Sequence, residues 1–179
     1  MIEVDKNKLH FMTPGDCIET IAKSYLDGLD IGWDTRATQC FYLVPEDKNH
    51  EAPAVDAVAC QGSCAVGALL RHSGVTPRQL WDKGIRNEHP ADRVADAFDI
   101  RIADWDAIRI GRFLQLCQQL HDQFAQASEG AASMPPRALG YMFRLMAPAI
   151  ISASGNYIGI TMKSFAGDVN TAIRNAFKG

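Results

Sequence analysis

The chain has 179 residues, 47% of them hydrophobic, with 18 Lys and Arg against 21 Asp and Glu and a net charge of −3. That length suits a single domain with a true core, and the hydrophobic fraction excludes a disordered tail. No Lys/Arg block is present, which excludes a histone-like polyelectrolyte, and an acidic sum with 8% aromatics argues against a dedicated nucleic-acid binder. Five cysteines, an odd number at low density, fit reduced thiols in a cytoplasmic setting. Met1-Ile2-Glu3-Val4-Asp5-Lys6 has no apolar run behind it, so no secretory leader is expected. The longest nearly apolar stretch, residues 138–153, contains Gly140, Arg144 and Pro148 and is too short for a membrane span. Charge is uneven: residues 1–100 carry 10 basic and 16 acidic side chains, and residues 101–179 carry 8 and 5.

In chain order, Thr13-Pro14-Gly15-Asp16 supplies a capping hydroxyl, a proline at the first helical position and an acid in the first turn. Ile18, Ile21, Ala22, Tyr25, Leu26 and Leu29 continue with helical spacing. Residues 38–44 predict a short strand, and residues 44–53 a loop. From Ala57 to Leu70 nearly every residue is small or apolar. A turn at Gln61-Gly62, Ser63 as N-cap and a buried helix as far as His72 follow, with Gly74 as its stop. Thr76-Pro77 and Pro90 open two further short helices. The longest helix is predicted over residues 104–128, capped by Asp104. Its core stripe is Ile110, Phe113, Leu114, Cys117, Leu120, His121 and Phe124. Pro135-Pro136 opens a helix carrying Leu139, Met142, Phe143 and Met146, which Pro148 is expected to end. Residues 150–162 read as a β-hairpin around Ser154-Gly155-Asn156, with a continued helix as the alternative, and residues 168–177 as a terminal helix. The class is mainly α with a small β component, α+β. Residues 1–179 are read as a single domain, with a subdivision into a helical core (1–129) and a C-terminal extension (130–179) as the variant.

Cys64-Ala65-Val66-Gly67-Ala68-Leu69 resembles the Cys-x-x-Gly-Ala-Leu of a small family of phage and actinobacterial proteins of unknown function. Trp105-Asp106-Ala107, before the long helix, stands where that family has Trp-Asn-Asp, so one polar position is lost. The resemblance spans roughly residues 17–127. It implies a phage or prophage context and no established activity.

Cys64 is the catalytic candidate, because a thiol at a helix N-terminus is favoured as the thiolate a nucleophile needs. His10, His50, His72, His89 and His121 are the available bases, none in a local signature. The opposing reading is a small apolar residue wedged among Gly62, Ala65, Gly67 and Ala68. Cys60 and Cys64 are spaced like half a zinc site, but a second pair is missing; Cys17, Cys40 and Cys117 are isolated. Asp92, Asp96 and Asp99 share one helical face and suit either magnesium or solvent. No phosphate loop, dinucleotide fingerprint or zinc-protease motif is present, so neither cofactor nor metal is expected. The remaining signal lies in the C-terminal third. Met134, Tyr141, Met142, Phe143, Met146, Met162 and Phe165 concentrate soft and aromatic side chains beside Arg137, Arg144 and Lys163, a composition typical of interface cores. Arg137, Tyr141, Met142, Arg144 and Met146 are therefore the partner-binding candidates. The expected function is a non-enzymatic phage-type accessory protein acting by protein contact or self-association, one form being inhibition of a host defence protein. A thiol enzyme using Cys64 is the alternative.

Overall fold

A computed structural model describes residues 9–27, 42–44, 48–59, 63–128 and 136–155. The described elements are β1 (His10–Phe11), α1 (Pro14–Asp27), α2 (Ala65–His72), α3 (Pro77–Asp82), α4 (Ala91–Ala97), β2 (Arg101–Ile102), α5 (Ala107–Ser128) and α6 (Pro136–Gly155). The two strands pair in parallel, His10 with Arg101 and Phe11 with Ile102. The fold is mainly α with a small β component, as its composition and periodicities predict. No helix among the described residues is long and apolar enough to cross a membrane.

Local chemistry sets several helix ends. In α1, the Asp16 amide donates to Thr13 Oγ1 at 3.1 Å, and the Thr13 amide donates to Asp16 Oδ2 at 3.0 Å. The same reciprocal cap opens α3, between Thr76 and Gln79. Gly74, at φ 78°, turns the chain after α2, and the Val75 amide reaches back to the Leu70 carbonyl at 3.0 Å.

Two caps differ from expectation. Cys64, not Ser63, is the N-cap of α2, and it caps without its side chain. The free first-turn amide of Val66 instead donates to Gln118 Oε1 of α5 at 2.9 Å, so a distant helix supplies the cap. Asp106, not Asp104, caps α5 by accepting from the Arg109 amide at 2.7 Å. Asp104 sits at φ 65°, in the turn between β2 and the helix.

One core joins residues from Leu9 to Ala153. α1, α5 and α6 meet at Tyr25, whose ring stacks on Phe143 at 5.6 Å and whose hydroxyl lies 2.9 Å from His121 Nδ1. Only a residue without Cβ fits where α6 crosses α1: a Cβ at position 140 would stand 2.9 Å from the Ala22 carbonyl oxygen. Residues of α6 from Leu139 to Ala153 thus contribute to the same core as α1 and α5.

The expected hairpin is corrected over its first half. α6 runs through Pro148 to Gly155. A proline inside a helix removes one backbone bond and costs about 3 kcal/mol. Ile150, Ala153 and Ser154 lie beyond it, buried in line with Leu139, Phe143 and Met146, so stopping at Pro148 would expose them. Burying Ile150 contributes about 1.5–3 kcal/mol and so offsets most of that cost, and Ile151, partly buried against the core, adds to it. Residues 156–162 and the terminal helix at 168–177 lie outside the described residues. So does most of the strand expected at 38–44, of which residues 42–44 form bends.

Candidate functional site

Cys64 is 2% exposed and lies on the core. It is enclosed by the packing of its own motif: Gly67 faces the backbone of residue 42, and a Cβ there would stand 2.1 Å from the Tyr42 carbonyl oxygen. Ala68 and Leu69 are fully buried beside it. The Cys-x-x-Gly-Ala-Leu pattern therefore does packing work in this chain. Cys17 and Cys117 are also buried, and burial pushes both thiols up, away from the reactive thiolate. Histidine contacts lie elsewhere. His121 meets Tyr25, His10 meets Asp99 at 3.2 Å, His72 meets Asp27 at 3.8 Å, and His89 Nδ1 accepts from the Arg86 amide at 3.0 Å. Cys40 and Cys60 lie outside the described residues, and the Cys60–Cys64 pairing with them. Among the described residues, no group of three or more His, Cys, Asp or Glu could hold a metal ion.

The expected carboxylate row divides. Asp99 turns away at φ 49° and accepts from Arg101 Nε at 2.7 Å and from His10, which holds its carboxyl below the usual range. Asp92 and Asp96 stay on the outer side of α4 and form one wall of a cleft of about 710 Å³. The opposite wall is α5, where Ile108, Arg112, Gln115, Gln119 and Asp122 recur at three- and four-residue spacing and so share one face. Tyr42, Asn87, Glu88 and His89 close one end.

That end is held by hydrogen bonds. The Asn87 side chain accepts from the Tyr42 amide at 3.0 Å and donates to the Val44 carbonyl at 3.1 Å, standing in for a strand partner. The Asn87 amide donates to Asn49 Oδ1 at 2.8 Å, while Asn49 Nδ2 donates to Glu88 Oε2 at 2.9 Å. The Tyr42 hydroxyl donates to the His89 carbonyl. Glu88's own backbone amide and Asn49 hold the Glu88 carboxyl below its usual range. Asp122 is the opposite case: half-buried, its carboxyl is pushed up by burial. The row Gln115, Gln119, Asp122 is the signal sequence reasoning passed over. It repeats at helical spacing like the apolar stripe, but exposed amides on a helix are ordinarily solvent-facing.

The five partner-binding candidates separate as well. Met142 and Met146 are buried, 4% and 5% exposed, and pack within their own core; this corrects their place among the partner-binding candidates. Arg137 is exposed at the start of α6. Arg144 donates to both Glu19 oxygens of α1, at 2.7 and 3.0 Å. Tyr141, 60% exposed, remains on the outer face, joined one turn on by Leu145 at 59%, which sequence reasoning did not single out. Met134, Met162, Lys163 and Phe165 lie outside the described residues.

Compared with protein-family models, curated proteins and solved structures, the chain matches none.

Proposed function

We propose that this chain is a non-enzymatic binding protein that acts by contact with another protein, and that the partner docks in the α4–α5 cleft. The observation that carries this reading is the cleft itself. About 710 Å³ is the size of pockets that enclose a drug-sized ligand, about 300–1,000 Å³, and so admits a few side chains of a partner, and its walls are helices rooted in the core. Its lining offers carboxylates, amides and a guanidinium, and no cysteine among the described residues. The buried thiols argue in the same direction, since a nucleophile needs access. The phage-accessory setting, with inhibition of a host defence protein as one form, extends the proposal through the resemblance at residues 64–69.

Affinity capture tests it with three baits: the wild type, Gln115→Arg and Cys64→Ala. The expected result is one protein retained by the wild type and by Cys64→Ala and lost by Gln115→Arg, with the helical signal of all three unchanged. Loss with Cys64→Ala alone would favour the thiol reading instead.

A second reading, self-association, is favoured by Tyr141 and Leu145, two large side chains exposed one turn apart on α6. Light scattering on the wild type and on Leu145→Glu tests it; a concentration-dependent dimer that Leu145→Glu abolishes is expected.

A further inference from the structure

Resting on the docking reading above, we infer that the α4–α5 cleft selects a cationic polypeptide segment, taking Lys or Arg side chains of the partner between α4 and α5. Among the described residues, four carboxylates line the cleft, Glu88, Asp92, Asp96 and Asp122, against one guanidinium, Arg112. A concave site walled by protein concentrates that field, because less water intervenes to screen it than on a flat surface. Asp122 adds an observation independent of the count. Its carboxyl makes no hydrogen bond or ion pair with another described residue, although the residue is half-buried. Burial penalises its charge, and a ligand cation would supply the opposite charge it lacks.

The remaining lining fits the rest of such a ligand. Lys and Arg carry long aliphatic stems behind their charges, and those stems need apolar wall. Ile108, 68% exposed at the lip, provides it. Gln115 presents both a donor and an acceptor, suited to the amide and carbonyl of an extended main chain. Other ligand classes fit worse. Phosphate or nucleic acid would meet four like charges. A bare divalent ion needs ligands converging on one point, and no described group of His, Cys, Asp or Glu does so.

The test is fluorescence anisotropy of the full chain with three labelled peptides of equal length, one Lys/Arg-rich, one Gln-rich and one Glu-rich, at low and high salt. The basic peptide should bind about tenfold more tightly than the Gln-rich one, the Glu-rich one should show no binding, and high salt should erase the difference. Asp92→Asn/Asp96→Asn should weaken the basic peptide about tenfold. Gln115→Lys, at an exposed position that leaves the core untouched, should do the same by adding a cation. Spermidine should compete less well than the unlabelled basic peptide, since it carries no main chain; equal competition would overturn the polypeptide assignment. Equal affinity for the basic and Gln-rich peptides, or a basic-peptide affinity indifferent to both variants, would overturn the inference. Should the basic peptide fail while Gln115→Arg still loses its captured protein, only the charge selectivity falls. If Gln115→Arg also keeps that protein, the docking reading falls with it.

Discussion

The two faces of α5 share one backbone and differ in almost everything else. Ile110, Phe113, Leu114, Cys117 and Leu120 point into the core, where α2, α4 and α6 pack against the helix. Arg112, Gln115, Gln119 and Asp122 point the other way, and α4, which touches α5 where Asp92 meets Gly111, leaves a cleft beside them. On the first face each side chain is held by apolar contact with many neighbours, so shape decides the energy. On the second, charged and hydrogen-bonding groups border a cleft, and a ligand would decide it. The lesson is that a helix's periodicity reveals its buried face directly, while its exposed face acquires meaning only from what stands across from it.

Substitutions on the core face should cost most. Phe113→Ala should destabilise the fold by about 3–5 kcal/mol, through lost burial and the cavity left behind. Denaturant titration should show the midpoint falling; a loss below about 1 kcal/mol would mean that the core face tolerates cavities and the contrast with the cleft is overstated.

The polar end of the same face should respond to acid. Burial pushes the His121 imidazole down to about 4. The folded state thus binds this proton less readily than the unfolded chain, where histidine titrates near 6.5. Its stability contribution is complete above pH 6.5, declines as pH falls towards 4, and is gone below that, a loss of about 3 kcal/mol. Subtracting the pH profile of His121→Gln from that of the wild type should leave this slope between those limits. A flat difference would show that His121 is not excluded from water as its contact with Tyr25 implies.

Where α2 meets Tyr42, overpacking replaces cavity formation. Gly67→Ala places a methyl against a main-chain carbonyl that cannot rotate away. The expected cost is about 1–3 kcal/mol, measured by thermal unfolding, while Cys64→Ala should cost less. The reverse order would mean that the Cys64 side chain, rather than the close approach at Gly67, is the tighter packing contact.

The cleft face should be almost silent in the same measurements. Gln115→Ala should change stability by less than about 0.5 kcal/mol. A larger loss would mean that the amide row supports the fold and that the two faces are less distinct than their surroundings suggest.

Capping chemistry, turn glycines and the 3.6-residue period are written in neighbouring side chains. Sequence by itself therefore determined the starts of α1 and α3, the stop after α2, the existence and length of α5, and the mainly helical class. Tertiary structure decided whatever depends on groups distant along the chain. Gln118 caps α2 across 52 residues. α6 continues past Pro148 because residues beyond it have a core to enter. Met142 and Met146 turn inward, since α1 and α5 leave room for them, while Tyr141 and Leu145 stay outside. Asp92 and Asp96 become the wall of a cleft, and Asp99 does not, because the chain turns at Asp99 towards Arg101 and His10. Composition names the side chains available for contact, but which of them reach the surface together is settled by packing, where volume and solvent exclusion act on residues that sequence order keeps far apart.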